Sequence, residues 1–459
     1  TNLHAHGCQN DIHHKVLHSL GACSLTDLPV IVKFLLGSLS DSTKDQTQKV
    51  LVTMRDQLSE VLDPGQESAR CLTSEWSAEK AQTSSPAASS MENFADWGTL
   101  LLDALKFCFR KDKKLMSTFL VLLRSMENHT LFDMWVLVLL HSLALGPQRK
   151  RVETLFRTKV AAGSISSDLL RRAVLYKQRV LEQFFPSLLA LYQQLMTPLP
   201  LGTGSAPSSV GVFDSSSRVQ LSARSFASAM FRGFSSVYHR QELLGCIIAF
   251  IGSPNALESS CALATLLQLA ACQTNALLRF ATLMQGLLDY LEELPFHQVK
   301  DLYSILCFVA FGKPWVLLPR NSGPPQEGAS SSSSGGSSSC SSAAAAAASS
   351  SSSTGSPSLI PLQGNAGLRD EYLILVRKQL SHPIPKYKMM GILALKSIVA
   401  HLACSSSPAL FGFSENGDGV GVMGECPHLD KEGFNLIFTL FDLAFDSCSK
   451  HEIVMASLV

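Results

Sequence analysis

Residues 241–311 read QELLGCIIAFIGSPNALESSCALATLLQLAACQTNALLRFATLMQGLLDYLEELPFHQVKDLYSILCFVAF. Apolar runs rich in Leu and Ala begin near Gln241, Asn255, Asn275 and Phe296, separated by short polar or proline-containing breaks such as Ser253-Pro254. Runs of this length favour helices, and repeated helix pairs are typical of an α-solenoid of the HEAT or armadillo kind. Each pair in such an array needs its neighbours to bury its apolar face.

The composition extends this prediction to the whole chain. Of the 459 residues, 46% are hydrophobic and only 16% charged, which is enough apolar material for large cores. Leu dominates and alternation of β-branched residues is scarce, so we predict an all-α fold: an α-solenoid of HEAT/armadillo-like helical repeats with disordered polar inserts. The net charge of +1 creates no global field for nucleic acid, so any DNA contact must come from local clusters of cations.

Changes in composition divide the chain into segments. Residues 63–92 are rich in Ser, Ala, Gln and Pro, and a longer Ser-rich stretch encloses the alanine run Ala343–Ala348, which is too short to hold a helix in water. We expect an N-terminal helical segment over 1–62, a polar linker over 63–95, a helical solenoid over 96–200, a loop over 201–218, helical repeats over 219–317, a Ser/Ala-rich disordered insert over 318–363 and a helical region over 364–459. The chain shows neither a signal peptide nor a start methionine, and we expect it to be a fragment of a longer protein.

Neither a metal site nor a disulfide frame is indicated. The 12 cysteines form no CxxC pair, which suits reduced, buried thiols in an intracellular protein. The N-terminal residues with side chains that could bind a metal are His4, His6, Cys8, His13, His14 and His18. Their spacings fit no tetrahedral site, so we expect no metal and no cofactor.

No catalytic motif is present: the sequence contains no HExxH, GxxxxGK[ST] or GxSxG, and no GxGxxG after a strand. We therefore expect a scaffold and not an enzyme. Residues 132–145 are almost wholly apolar, but Asp133 and His141 argue against a membrane span and for the central helix of a bundle. We expect no membrane association.

Residues 370–404 are predicted to form two helices separated by His382-Pro383-Ile384-Pro385, because each proline removes a backbone donor and restricts the residue before it. Asp370 is the predicted N-cap of the first helix, and the second should begin near Lys386.

Lys388 begins the apolar stripe of that second helix. The stripe continues, in steps of four and three, through Ile392, Leu395, Val399 and Leu402. A lysine at the start of a core stripe and in a first helical turn breaks two local rules, which is expected most often at functional sites. On spacing alone, the commoner explanation is a lysine that extends its amine to water from the edge of a core helix.

Two clusters of cations are candidate DNA or phosphate contacts. They consist of Lys106, Arg110, Lys111, Lys113 and Lys114, and of Arg149, Lys150 and Arg151. The second cluster also fits a nuclear-import patch, and either could equally be a solvated helix face.

Residues 373–396, LILVRKQLSHPIPKYKMMGILALK, resemble the segment around the ubiquitin-acceptor lysine of the Fanconi anaemia group D-two family. LTDLPVIVKFLL at 25–36, RKRVETLFRTKV at 149–160 and QGLLDYL at 285–291 resemble the same family in the same order. By position, the resemblance implies that Lys388 is the acceptor. The Pro-Ile-Pro sequence before it departs from the family pattern, which leaves Lys386 as the alternative.

The resemblance implies a function as well. It predicts a nuclear DNA-repair scaffold that forms a heterodimer with the homologous Fanconi group I protein. A ubiquitin E3 ligase complex with its E2 would attach one ubiquitin through an isopeptide bond, and a deubiquitinase would remove it. The pair would clamp on double-stranded DNA during repair of an interstrand crosslink. We further expect the heterodimer to shield Lys388 and DNA to make it more accessible. The alternative is a general HEAT/armadillo adaptor in which Lys388 has no special role.

Overall fold

The computed structural model describes residues 15–20, 23–39, 43–62, 97–197, 209–312, 365–403 and 431–449. Helices account for nearly all of these residues, and none of them lies in a β-strand. The predicted all-α class of helical repeats is therefore confirmed. Contacts divide the chain into two compact units, Thr1–Leu302 and Tyr303–Val459.

The first unit consists of helices that pack against one another. They are α1 (Leu28–Ser38), α2 (Lys44–Leu62), α3 (Trp97–Lys111), α4 (Lys113–Ser125), α5 (Leu131–Leu143), α6 (Pro147–Ala162), α7 (Ser167–Tyr176), α8 (Gln178–Glu182), α9 (Phe185–Met196), α10 (Ser209–Gly233), α11 (Val237–Ile251), α12 (Ala256–Cys272), α13 (Thr274–Leu278) and α14 (Ala281–Gln285). A 3₁₀ turn, Gly286–Tyr290, follows α14, and α15 (Phe296–Phe311) crosses the division between the units.

Several helix starts in this unit follow ordinary capping chemistry. Asn255, the predicted start of a helix, caps α12 by accepting a hydrogen bond from Leu257 N. Thr130 and Asp133 form a reciprocal capping box at α5, in which each side chain accepts from the other residue's backbone N–H. These capping residues therefore set where α5 and α12 begin.

Helix α5 is the central helix of the first unit, as the sequence predicts. Eleven of its residues, Leu131 to His141, are buried, and it packs against α2, α3, α6, α7 and α9. Trp135 donates its indole N–H to Ala173 O in α7 at 3.2 Å. His141 Nε2 lies 3.1 Å from Glu153 Oε1 in α6, and burial lowers the pKa of His141. The apolar run thus serves as a core element surrounded by helices.

The predicted loop over 201–218 is wrong from residue 209 onward, because α10 begins at Ser209. The serines in this stretch are poor helix formers, but α10 packs along α7 and buries Val219, Ala223, Phe226 and Met230. Tertiary packing therefore overrides local preference here.

The second unit contains the end of α15 and three further helices, α16 (Ala366–Leu380), α17 (Pro385–Ala403) and α18 (Lys431–Cys448). Tyr303 Oη donates to Gln379 Oε1 at 2.7 Å, and His401 Nε2 donates to Gly312 O at 2.7 Å, so α15, α16 and α17 form one core. The predicted break between α16 and α17 at the prolines is confirmed.

The predicted N-cap of α16 is wrong. Asn365, not Asp370, accepts the capping hydrogen bond, from Leu368 N at 2.9 Å. Asp370 lies one turn into the helix and is exposed. The helix therefore begins one turn earlier than predicted, and Leu368, which is buried, belongs to its packed face.

Several predictions fall outside the described residues: the linker over 63–95, the insert over 318–363, and the histidine- and cysteine-containing N-terminus apart from His18. Across the described ranges, no helix is long and apolar enough to cross a membrane. Within the same residues, no three His, Cys, Asp or Glu side chains are grouped so that they could hold a metal ion.

The described cysteines are all free thiols. Cys261 and Cys307 are buried, and burial raises the pKa of Cys261 to about 11. Cys272 contradicts the expectation of buried thiols, because its position at the end of α12 leaves it exposed.

Candidate functional site

Lys388 lies in the first turn of α17 and is buried, with 5% of its surface exposed. Ile392 and Leu395, the next residues of the predicted stripe, are at most 1% exposed, whereas Val399 and Leu402 are half-buried. The structure therefore places Lys388 within the core face of the helix. It is not a lysine that extends its amine to water.

The Lys388 amine is held between two helix ends. Its Nζ donates to Leu380 O, the last residue of α16, at 3.5 Å, and to Ser447 O in the last turn of α18. The final carbonyls of a helix have no partner within that helix and carry a partial negative charge, so they suit an amine donor. Two converging helix C-termini thus supply the polar environment that this buried side chain requires.

Helix α18 covers Lys388. Its buried residues Leu440, Ala444 and Cys448 recur every four positions and pack against α16 and α17. Burial raises the pKa of the Cys448 thiol, and the nearby Lys388 acts in the opposite direction. The sequence predicts a helical region over 364–459 but does not reveal this role of α18. The signal was the small-residue spacing Ala444 to Cys448, which permits close approach of another helix.

Lys386, the alternative acceptor, has the opposite environment. It is exposed, two residues before Lys388 in the same helical turn. Beside it, the rings of Tyr387 and His382 lie 4.3 Å apart and close the turn between α16 and α17. An external reagent could reach Lys386 in this conformation, whereas Lys388 first requires movement of α18.

Gly391 permits the close approach of α17 to the end of α16. A Cβ atom added there would lie 2.9 Å from Leu380 N, closer than real Cβ contacts allow. The same residue, Leu380, provides one of the two carbonyl partners of Lys388. The glycine therefore helps to position the lysine beside its partners.

The first predicted DNA cluster lies at the junction of α3 and α4. Arg110, Lys111, Lys113 and Lys114 are exposed, and none of the four forms an ion pair with a described residue. Asp112 lies among them, but its carboxylate caps α4 by accepting from Lys114 N at 2.8 Å. Lys106 points away, with its Nζ 5.8 Å from the ring centre of Phe184. Four of the five predicted cations therefore form one accessible patch.

The second cluster is less uniform. Arg149 Nε lies 3.4 Å from Glu153 Oε1 and 3.1 Å from His141 Nε2, so its charge is already paired at the surface of α6. Lys150 and Arg151 are exposed and form no ion pair with a described residue.

A buried ion pair was also missed. Arg55 in α2 donates through Nε and Nη2 to the fully buried Asp133 of α5, with the shorter contact at 2.6 Å. The Asp133 carboxylate, by hydrogen bonding above all, raises the pKa of Arg55 above its ordinary value. A lone acid in an apolar helix was the available signal, since such a residue usually has a charged partner.

The sequence of the chain is similar to that of known proteins. Residues 5–315, about two thirds of the chain, match the family model described as "Fanconi anaemia protein FancD2 nuclease". Two relatives are the Fanconi anemia group D2 protein of Gallus gallus and the Fanconi anemia group D2 protein homolog of Rattus norvegicus. Both are 24% identical, over 438 and 397 residues.

The chicken protein matches 94% of this chain, and so extends across α17 and Lys388, whereas the rat protein matches 86%. The chain spans only about a quarter of the length of these relatives, 25% of the chicken and 22% of the rat protein. The family match and the all-α repeats agree with the resemblance in the sequence. This chain belongs to the FancD2 family of Fanconi anaemia proteins.

Proposed function

We propose that this chain is part of a non-enzymatic DNA-repair scaffold that is switched by attachment of one ubiquitin to Lys388. The observation that supports the proposal is Lys388 itself. In a FancD2-family chain, a lysine begins the core stripe of α17, and its amine is bound by backbone carbonyls and not by an acid. Such a side chain contributes little to an apolar core, which is a reason to look for a chemical role.

The reaction requires a neutral amine that reaches a thioester. The Lys388 nitrogen would form a bond to the thioester carbonyl carbon of ubiquitin, the C–S bond would break, and the cysteine thiolate of the E2 would leave. The nitrogen would lose a proton and an isopeptide bond would remain. Because Lys388 is 5% exposed, α18 must first move away from it.

Reconstituted ubiquitination tests this proposal. The chain would be incubated with the E3 ligase complex, the E2, its proposed heterodimer partner (the Fanconi group I protein) and DNA, and Lys388→Arg would be compared with Lys386→Arg. We expect a single adduct that is lost only in Lys388→Arg. If the adduct persists in Lys388→Arg or spreads over many lysines, the adaptor function is favoured and Lys388 is a structural residue. A deubiquitinase should restore the unmodified chain.

We propose further that the scaffold works in the nucleus. It would contact double-stranded DNA through the α3–α4 patch, which consists of Arg110, Lys111, Lys113 and Lys114. Charge reversal at Lys113 and Lys114 should weaken binding to a 30-base-pair duplex and reduce the salt dependence by about one unit of slope per lost phosphate contact. Lys49→Glu, an exposed lysine on α2, is the matched control. Unchanged affinity in the Lys113/Lys114 variant would remove this patch from the proposal.

The word nuclease in the family description gives a second candidate function. Incubating the purified chain with flapped and duplex DNA in Mg²⁺ or Mn²⁺ tests it directly. The scaffold proposal predicts no strand scission above that of the buffer. Scission that co-purifies with the chain and is lost with EDTA would contradict a purely non-enzymatic role.

A further inference from the structure

A groove of about 730 Å³ lies between α4 and α6 in the first unit. Helix α5 forms its floor with Leu140, and the two walls add Met116 from α4 and Val152 and Leu155 from α6. These four side chains are at most 9% exposed. We name this feature the α4–α6 groove.

The wall of the groove that α4 forms is apolar yet open to water. Val121 on α4 lines it and is 53% exposed, and Leu120 beside it is half-buried. Exposed aliphatic side chains that adjoin a buried floor are costly to leave in water. The groove therefore has the apolar contact surface that an amphipathic helix covers.

The charges around the groove all have one sign. Arg124 lies at one edge, and Lys150 and Arg151 lie at the other. No Asp or Glu lines the groove, and none of the three cations forms an ion pair with a described residue. Lys159 also lines it, but its Nζ donates to Met126 O. A ligand seated here would meet apolar atoms at its centre and positive charge along both flanks.

We propose that the α4–α6 groove binds an acidic amphipathic helix of a partner protein. Apolar residues spaced by three and four would contact Leu140, Val121 and Leu155, and Glu or Asp on both flanks would pair with the rim cations. From Met116 to Arg124 the α4 wall extends about 12 Å along the helix axis, which is the length of about two turns of such a helix.

This chemistry distinguishes the ligand from DNA. A duplex presents phosphates and buries few apolar side chains, so it would use the rim cations and leave Val121 in water. An acidic helix would contact both the rim cations and Val121. The two ligands therefore respond differently to loss of Val121.

The test is a selection from a displayed library of random 16-residue peptides on the immobilised chain, followed by fluorescence anisotropy of the selected peptides. We expect sequences rich in Glu or Asp with apolar residues at helical spacing. Their affinity should fall at least about tenfold in Val121→Glu and in Arg124→Glu/Arg151→Glu, and it should weaken with salt. Lys49→Glu, at a residue that does not line the groove, should leave it unchanged.

The proposal is overturned if the selected peptides are neutral or basic, or if acidic peptides bind equally well to Val121→Glu. It is also overturned if a 30-base-pair duplex loses affinity in Arg124→Glu/Arg151→Glu while no peptide is selected, since the groove rim would then be a nucleic-acid surface. None of these results depends on modification of Lys388.

Discussion

Asp133 is an acid in the most apolar of the described helices, and its carboxylate joins α5 to α2 through Arg55. It is fully buried, accepts from Arg55 through two nitrogens and accepts from Thr130 N at 2.8 Å. Removing one partner of a buried pair leaves the other charge unpaired. We expect Asp133→Ala to lower the free energy of unfolding by about 3 kcal/mol, measured by urea denaturation.

An exposed pair is the matched control. Asp168 pairs with Arg171 and Arg172 at the surface of α7, and Asp168→Ala should cost less than about 1 kcal/mol. Equal costs for the two variants would mean that the Arg55–Asp133 pair has no special structural weight.

His401 makes the stability of the second unit depend on pH. Burial lowers its pKa from 6.5 to about 4, although the bond to Gly312 O opposes the shift. The folded state therefore keeps His401 neutral while the unfolded state takes up a proton below pH 6.5. Stability falls as the pH falls from 6.5 toward 4, by about 2 kcal/mol at pH 5.

Thermal unfolding at pH 7.5 and pH 5 checks this effect. His401→Asn cannot titrate in this range and should lose about 2 kcal/mol less than the parent chain on acidification. An unaltered pH dependence in His401→Asn would contradict the assignment. His129 and His141, whose pKa values burial also lowers, act in the same direction in the first unit.

At the residue scale, the sequence identifies Lys388 as an unusual residue but does not predict the carbonyl partners of its amine. The apolar stripe of α17 identifies an unusual lysine because the stripe is local, with all its members within four turns. Ser447, which accepts from its amine, is 59 residues away. No spacing rule connects residues that far apart, so the burial of the amine could be learned only from the packed structure.

Between elements, Gly391 sets the distance from α17 to α16. A methyl group there meets Leu380 N at 2.9 Å and two Leu380 side-chain atoms at 3.0 Å. We expect Gly391→Ala to lower the free energy of unfolding by about 1–3 kcal/mol, because the two helices must separate. Gly245 in α11 has nothing within 4 Å of such a methyl, and Gly245→Ala should stabilise by about 0.5–1 kcal/mol. Thermal unfolding of both variants measures whether the free energy of unfolding falls or rises. An unchanged free energy of unfolding in Gly391→Ala would refute the close-contact argument.

The packing of α18 over Lys388 also belongs to the scale of elements, and it can be tested by lysine accessibility. Acetylation by N-hydroxysuccinimidyl acetate, followed by mass spectrometry, reports the accessibility of each lysine. Lys386 is exposed and Lys388 buried, so Lys388 should react at least about tenfold more slowly. Leu440→Ala removes a fully buried contact of α18 and should raise the rate at Lys388 alone.

Phe438→Ala is the control on the same helix, because Phe438 is 58% exposed and its loss should leave both rates unchanged. Equal reaction of Lys386 and Lys388 in the parent chain would mean that α18 does not protect the amine.

Element starts were predictable where a cap or a proline fixes them, as at Asn255 and at the break before Pro385. They were not predictable where packing overrides local preference. The serine-rich start of α10 and the Gly367-containing start of α16 both look like loops in the sequence. Buried Val219 and Leu368 show that each is part of a packed helix.

At the scale of the whole molecule, the sequence predicted the all-α repeats and the family, because both depend on features distributed along the chain. The family model covers residues 5–315, while Lys388 lies beyond it, within the longer match to the chicken relative. The chain is about a quarter of that relative's length, so the partner and the DNA clamp remain proposals that concern a larger protein.

The most direct measurement is the rate of ubiquitin attachment at Lys388 in the reconstituted reaction, mapped by mass spectrometry in the parent chain, Leu440→Ala and Phe438→Ala. Loss of about 2 kcal/mol of packing under α18 should speed attachment at Lys388 by up to about 30-fold, while Phe438→Ala should match the parent. A parent adduct on Lys386, or a Lys388 adduct whose rate is the same in all three chains, would contradict the account.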